Sequence, residues 1–158
     1  MAVNQAAIIL FCLFTFSSTL TLAGPIKYKE CKEGAESILK SVDLNPSDQD
    51  PQGRYIFHKG TNVTATVAFA PNEIVTAGTV QLFVLLAGQK LKMKVPHPNA
   101  CENHQLECPL KPEVEYTMVG TIEVQKNLPG LPFLVQLDVL LPNKKYLFCF
   151  QFLVHILN

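Results

Sequence analysis

A short polar loop between two cysteines begins with Val95-Pro96-His97-Pro98-Asn99-Ala100-Cys101 and closes at Cys108-Pro109-Leu110. Segments with the composition of β-strands precede and follow this loop. Because small extracellular domains commonly contain loops that a cystine closes, the stretch indicates a secreted, disulfide-bonded protein built from β-strands.

Two further cysteines, Cys31 and Cys149, lie near the two ends of the predicted mature chain. Cys12 is the fifth cysteine, and it lies in the apolar run at the beginning of the sequence. Four cysteines allow three pairings, and the sequence alone does not separate them. The short spacing favours Cys101 with Cys108 across a hairpin loop, which leaves Cys31 for Cys149. The longer bridge is expected to stabilise the fold by about 4 to 5 kcal/mol, because it restricts the unfolded chain. A zinc site is the alternative, although no second close pair of Cys or His completes the spacing of a zinc finger.

The beginning of the chain has the pattern of a signal peptide. Residues 6–16 form an apolar run that is too short to span a bilayer, and Thr21-Leu22-Ala23 supplies small residues for cleavage before Gly24. Because no Lys or Arg precedes the run, a membrane anchor or a buried helix is the alternative. We expect residues 1–23 to be a signal peptide and residues 24–158 to form one extracellular domain, with the lysosomal lumen as a second possible destination.

Strict alternation of apolar and polar residues identifies the strands. In residues 90–95, Leu91, Met93 and Val95 share one face and three lysines share the other. Further strands are predicted at residues 63–69, 80–86, 114–124, 133–141 and 146–156, with weaker ones at 38–44 and 55–58. Many short strands separated by Gly, Pro and Asn favour an antiparallel sandwich or barrel.

Two of these strands, at residues 133–141 and 146–156, are apolar on both faces. They are either central strands in a filled core or the wall of a cavity, since packed side chains and a ligand tail require the same residue types. The loop at residues 127–133 also carries Leu128, Leu131 and Phe133. This loop either folds over the edge of the core or forms the rim of an opening.

The charged and catalytic residue types argue against several function classes. The formal net charge is +0, which leaves no basic surface for a nucleic acid. Nucleophile motifs, phosphate-binding glycine loops and metalloprotease helices are absent from the sequence, so an enzyme is not expected. We interpret His97 and His104 as surface histidines, since two imidazoles without a third ligand make a poor metal site.

Two surface features have a structural and a functional interpretation. Asn62-Val63-Thr64 is an N-glycosylation sequon at the head of a predicted strand. Lys90, Lys92 and Lys94 are interpreted as a solvated edge that discourages strand pairing. Contact with anionic lipid headgroups is the alternative for these lysines, at about 1 kcal/mol for each.

Several segments together resemble the ML lipid-recognition domain, and within it the Niemann-Pick C type-2 proteins and their arthropod counterparts. These segments are Tyr28-Lys29-Glu30-Cys31, the Pro-rich lead into Cys101, Cys108-Pro109-Leu110 followed by Tyr116, and Leu147-Phe148-Cys149-Phe150. The resemblance implies an immunoglobulin-like antiparallel β-sandwich of about seven to eight strands. It also implies a lipid, such as cholesterol or a fatty acid, between the two sheets, without catalytic residues, metal or another cofactor.

The resemblance assigns the lipid pocket to positions in this sequence. Its mouth is expected at Met93, Val124, Leu128 and Pro129. Its walls are expected at Val67, Leu82, Leu91, Leu131, Phe133, Val135, Leu137 and Phe150. Strand alternation agrees with this assignment, because Leu91 shares a face with Met93, and Phe133, Val135 and Leu137 share another.

Three departures from the family pattern bear on the ligand. Residues 44–51 lack the further cystine that family members usually carry between the first two strands. Leu137 and Phe150 stand where sterol carriers have tryptophan, and Leu128 replaces a tyrosine at the mouth. These replacements weaken the expectation of a sterol and admit a slimmer acyl chain or a small volatile ligand.

We therefore expect a monomeric, secreted lipid-binding or lipid-transfer protein. Its expected partners are a hydrophobic small molecule and, transiently, a membrane surface or a protein that hands over lipid. The alternative is a secreted lipid-recognition accessory module in innate immune or chemosensory signalling. A third interpretation is a disulfide-bonded structural domain with a filled core.

Overall fold

Residues 24–31 and 34–158 are described by a computed structural model, and their regular structure consists of ten β-strands. The strands are β1 (Gly24–Pro25), β2 (Lys29–Glu30), β3 (Ser37–Asn45), β4 (Tyr55–His58), β5 (Asn62–Pro71), β6 (Thr79–Leu86), β7 (Gln89–Met93), β8 (Tyr116–Glu123), β9 (Pro132–Leu140) and β10 (Tyr146–Leu157). Every strand predicted from alternation is present, and β1 and β2 are short additions. The proposed signal peptide lies outside the described residues. Within them, no helix is long and apolar enough to cross a membrane.

The strands form two sheets that face each other. One sheet has the order β1-β3-β5-β8, and the other has the order β2-β10-β9-β6-β7 with β4 also paired to β10. All of these pairs are antiparallel except β4 with β10, which is parallel. The predicted antiparallel sandwich is therefore confirmed, with one parallel pair that the sequence did not reveal. Alternation reports which face a residue occupies, but it carries no information on strand direction.

The two disulfides have the pairing that the spacing favoured. Cys31 is bonded to Cys149, with their Cα atoms 5.3 Å apart, and this bridge joins the end of β2 to β10. Cys101 is bonded to Cys108, with their Cα atoms 5.6 Å apart, within the connection between β7 and β8. Disulfide bonding uses all four cysteines of the predicted mature chain, which removes them as zinc ligands.

Aromatic side chains fill one half of the space between the sheets. Phe148, Phe150 and Phe152 lie side by side on the inner face of β10, with neighbouring ring centroids 6.2 and 6.1 Å apart. Phe69 of the opposite sheet lies 5.1 Å from Phe148, and Tyr28 lies 5.7 Å from Phe150. Because aromatic rings at these distances gain from both burial and ring contact, this half forms the packed core of the sandwich.

The outer face of the six-stranded sheet contains a buried polar row, so the interpretation of β9 and β10 as apolar on both faces is wrong for their outer face. Asp138 on β9 is 0% exposed, and its Oδ2 accepts a hydrogen bond of 2.8 Å from Nε2 of Gln136. Gln151 Nε2 donates in turn to Gln136 Oε1 at 2.9 Å. With the amide of Gln81 turned so that its nitrogen faces Asp138, it donates to Oδ1 at 3.1 Å and its oxygen accepts from Lys92. Desolvation by burial raises the pKa of Asp138 above its ordinary value, against the opposing effects of Gln136 and the nearby lysines.

Asp138→Asn is expected to change how stability depends on pH. An acid whose pKa is raised by folding binds more protons in the folded state, so its contribution to stability falls as pH rises from the ordinary aspartate range through the raised pKa. The amide oxygen can still accept from Gln136, but the amide NH2 faces the donating nitrogen of Gln81, a cost that does not change with pH because the amide does not ionise. Urea unfolding from about pH 3 to about pH 8 covers the ordinary aspartate pKa of about 3.9. Over this range the free energy of unfolding of the variant should rise relative to that of the wild type as pH rises. A constant difference between the two proteins would contradict this account.

Candidate functional site

A cavity of about 400 Å³ lies between the two sheets, beside the aromatic half of the core. The six-stranded sheet contributes Phe57, Val80, Leu82, Val84, Phe133, Val135, Leu137, Phe152, Val154 and Ile156. The four-stranded sheet contributes Leu44, Val63, Ala65 and the β8 residues Val119, Gly120, Thr121, Ile122 and Glu123. Because the walls are mainly apolar and small-molecule sites occupy roughly 300 to 1,000 Å³, the cavity suits a hydrophobic ligand.

Side-chain size explains why this half of the sandwich is hollow. On β5 the inward residue is Phe69 in the packed core, whereas Ala65 and Val63 face the cavity. On β10 the three inward phenylalanines are followed by Val154 and Ile156. Both sheets continue past this change, so the gap between them persists where β5 and β10 carry smaller inward side chains, and Phe57, Phe133 and Phe152 line that gap without filling it.

The cavity opens between the edge strands β7 and β8. The walls deeper in the cavity are mainly apolar, but the lining at the opening includes exposed polar residues. These are Lys94, His97, Asn103, Gln105, Thr121, Glu123 and Gln125. Met93, Val95 and Leu128 lie among them and are partly buried. A ligand in this cavity would therefore bury its apolar part between the sheets and keep a polar group at the opening.

His104 connects the two sides of this opening. Its Nε2 lies 2.7 Å from the carbonyl oxygen of His97, in the segment after β7, and its Nδ1 lies 3.0 Å from the carbonyl oxygen of Val119 on β8. The backbone oxygen of His104 also accepts a hydrogen bond of 3.1 Å from Val119 N. Both ring nitrogens face acceptors, so the protonated ring donates to both carbonyls and the neutral ring donates to one.

The interpretation of His104 as a surface histidine is wrong, because only 5% of the residue is exposed. His97, in contrast, is exposed as expected. The sequence offered no sign of this difference, since burial of His104 depends on how the cystine loop folds back onto β8. Within the described residues, no group of three or more His, Cys, Asp or Glu side chains could hold a metal ion.

The structure brings most of the expected pocket residues to the cavity. Among the expected mouth residues, Met93, Val124 and Leu128 line it, and Pro129 follows directly in the loop without lining it. The expected wall residues that line it are Leu82, Phe133, Val135 and Leu137. The four that do not are Val67, Leu91, Leu131 and Phe150.

These four residues lie elsewhere for two physical reasons. Val67 and Phe150 are each 0% exposed and belong to the packed half, where neighbouring side chains already surround them. Leu91 and Leu131 are 48% and 39% exposed, because Leu91 lies on the edge strand β7 and Leu131 in the loop before β9. Alternation places a residue on the inner face, but it does not say whether the space opposite is filled.

Sequence reasoning missed several wall residues and the polar part of the opening. The missed walls are Leu44, Phe57, Val63, Ala65, Val80, Val84, Phe152, Val154 and Ile156. Alternation along the strands was an available signal for their inner face, and on β5 and β10 the inward side chains also become smaller toward the cavity, although Phe57 and Phe152 do not share that second signal. The polar residues of the cystine loop carried no such signal, since they lie in an irregular segment.

Comparison with known proteins identifies the family of this fold. The family model for the ML domain matches residues 25–156. The chain belongs to the ML domain family. Among curated proteins, this ML domain is 27% identical to NPC intracellular cholesterol transporter 2 of Danio rerio over 138 residues, covering 87% of this chain and 89% of the relative. It is 24% identical to the Mus musculus protein of the same name, covering 96% of this chain and 95% of the relative.

A solved structure of the same family supports the architecture. The Niemann-Pick type C2 protein from Japanese carpenter ant superimposes on this ML domain with a TM-score of 0.75 at 18% identity. The match covers 84% of this chain and the whole of the ant protein chain, 100%. At this identity the likeness concerns the fold, which is the two-sheet sandwich described above.

Removal of the His104 imidazole is expected to loosen the opening. His104→Ala takes away the groups that face the His97 and Val119 carbonyls, and a buried polar group that loses its partner costs about 1 to 3 kcal/mol. We expect a loss of that size in the free energy of unfolding in urea. His58→Ala is the matched control, because the His58 ring is exposed and lies 3.2 Å from the carbonyl oxygen of the terminal Asn158; its loss should stay within about 0.5 kcal/mol. Equal losses in the two variants would show that His104 does not hold the opening together.

Proposed function

We propose that this protein binds one hydrophobic lipid molecule, such as a sterol or a fatty acid, between its two sheets and carries it through water. The observation that supports this proposal most directly is an apolar cavity of about 400 Å³ that opens at one edge of the sandwich. Membership of the ML domain family and curated relatives that are named as intracellular cholesterol transporters support it as well. The protein acts by binding and release, and it is not an enzyme.

The binding energy comes mainly from burial of the lipid tail. Each methylene group that moves from water into an apolar environment contributes about 0.8 kcal/mol. Leu82, Phe133 and Val135 are buried lining residues that offer such an environment. The polar group of the lipid stays at the opening, where Met93, Val124 and Leu128 form the apolar part of the rim. Pro129 shapes the same loop, and the selectivity for one lipid over another follows from the shape of the cavity.

The expected ligand is slim rather than broad. The resemblance implies that sterol carriers have tryptophan at the position of Leu137 and tyrosine at the position of Leu128. In this protein both leucines line the cavity, Leu128 at its rim. Aliphatic side chains can rearrange around a flexible acyl chain, whereas a rigid sterol gains more from flat aromatic surfaces. A fatty acid is therefore our preferred ligand, with a sterol as the alternative within the same proposal.

The protein is proposed to work outside the cell or in the lysosomal lumen. Two disulfides are typical of proteins that fold in an oxidising compartment. Asn62 is exposed at the start of β5, where a glycan can project into solvent, and we propose that this sequon is used. A monomer that contacts a membrane or a lipid-handling protein only transiently fits the role of a carrier.

Filling the cavity should prevent binding without unfolding the protein. Val135→Phe adds bulk where the structure leaves space, so a fluorescent apolar probe should bind at least about tenfold more weakly, a change of about 1.4 kcal/mol. In wild-type protein, a fatty acid or a sterol should displace this probe. Fluorescence titration measures both effects. Equal affinity for the probe in folded Val135→Phe and wild type would count against the cavity as the binding site.

The matched control lies on the same face of β9. Val139 is 0% exposed and lies outside the cavity, and a Cβ added at the neighbouring Gly78 would come within 2.8 Å of Val139 Cγ1. Val139→Phe should therefore lose about 1 to 3 kcal/mol of stability through overpacking, while its folded fraction binds the probe normally. Val135→Phe should lose clearly less. Equal stability losses in urea unfolding would contradict the division of the core into a packed and a hollow half.

A further inference from the structure

Lys94 departs from the arrangement of the other two lysines in its segment. Lys90 and Lys92 lie over the ring of Phe83 on the outer face of the six-stranded sheet, with their Nζ atoms 4.0 and 6.0 Å from the ring centroid. The sequence pattern predicted the same face for Lys94, but the residue lines the cavity instead. All three lysines are exposed, as the prediction of a solvated edge requires, and Lys94 in addition lines the cavity.

The end of the β6–β7 ladder accounts for this difference. Met93 is the last residue of β7, and it pairs with Leu82. Lys94 follows the ladder, so its backbone is no longer held in the alternating strand geometry. The chain turns at this point into the segment that contains His97, which also lines the cavity. Lys94 is therefore an exposed lysine that belongs to the lining of the opening.

The surroundings of Lys94 at the opening suit a negatively charged group. His97, Asn103 and Gln105 line the same part of the cavity and offer further hydrogen-bond donors. In the part of the chain that the structure describes, no ion pair of Lys94 is found. Glu123 is the carboxylate that lines the cavity, and it belongs to β8, on the other side of the opening.

We propose that Lys94 selects lipids with an anionic headgroup, so that the preferred ligand is a long-chain carboxylate with its tail in the cavity and its head at Lys94. This inference rests on the proposed function, and it adds the headgroup as a second determinant beside the shape of the cavity. An amphiphile of this kind matches both parts of the site, since the apolar walls bury its chain and the lysine neutralises its charge at the surface. A neutral lipid uses only the first part.

Two ligands of equal chain length test the proposal, an unsaturated eighteen-carbon fatty acid and its methyl ester. Each is used to displace a fluorescent apolar probe from the protein. The titration is done at mildly alkaline pH, where the acid is ionised. Wild-type protein should bind the acid about two- to fivefold more tightly than the ester, the range expected for one exposed charge pair. Lys94→Gln should remove this preference by weakening the acid alone. The preference should also shrink as salt concentration rises.

Three further variants make the result specific. Lys90→Gln and Lys92→Gln remove charges on the outer face, and both should keep the preference of the wild type. Glu123→Gln removes the carboxylate at the opening and should strengthen binding of the acid more than binding of the ester. A preference that survives in Lys94→Gln, or equal affinities of acid and ester in wild type, would overturn the role of Lys94 while leaving carriage in the cavity intact. Failure of both ligands to displace the probe from wild type would overturn the proposed function and this inference together.

Discussion

The structure depends on an unequal filling of the space between two continuous sheets. Phenylalanines at positions 69, 148 and 150 occupy that space at one end. At the other end, Ala65, Val63 and Val154 face the same space and leave a cavity. Because closely packed interiors are the rule in folded proteins, a gap of this size within a continuous sandwich calls for a physical cause, and the decrease in side-chain size along β5 and β10 supplies it. The packed half provides the stability that allows the other half to remain open.

The opening is held by contacts at the edges of the sheets. The Cys101–Cys108 bridge closes the loop that follows β7, and His104 within that loop joins the His97 carbonyl to the Val119 carbonyl on β8. These contacts fix the distance between two strands that are the edges of their sheets in the described part of the chain. The same loop brings Lys94 and other polar side chains to the rim, so one irregular segment both stabilises the opening and determines its chemistry.

Most of the fold was predictable from the sequence because strands and disulfides leave local signals. Alternation located every strand of four residues or more, and the spacing of Cys101 and Cys108 indicated the correct bridge. The site was only partly predictable, because alternation does not distinguish Phe150, which is packed, from Phe152, which lines the cavity. The positions of Lys94 and His104 depend on where the ladder ends and how the loop folds back, and these are tertiary properties. The parallel pairing of β4 with β10 is likewise a tertiary property that the local sequence pattern does not report.

Native mass spectrometry of the disulfide-bonded protein, purified after secretion from eukaryotic cells, tests the central claim most directly. The account predicts a species whose mass exceeds that of the mature chain and its glycan by one small molecule, and this molecule should be identified as a lipid after release by collisional activation. A preparation that shows only the unliganded mass, and that acquires no additional mass when incubated with a fatty acid or a sterol, would contradict a cavity that holds a guest.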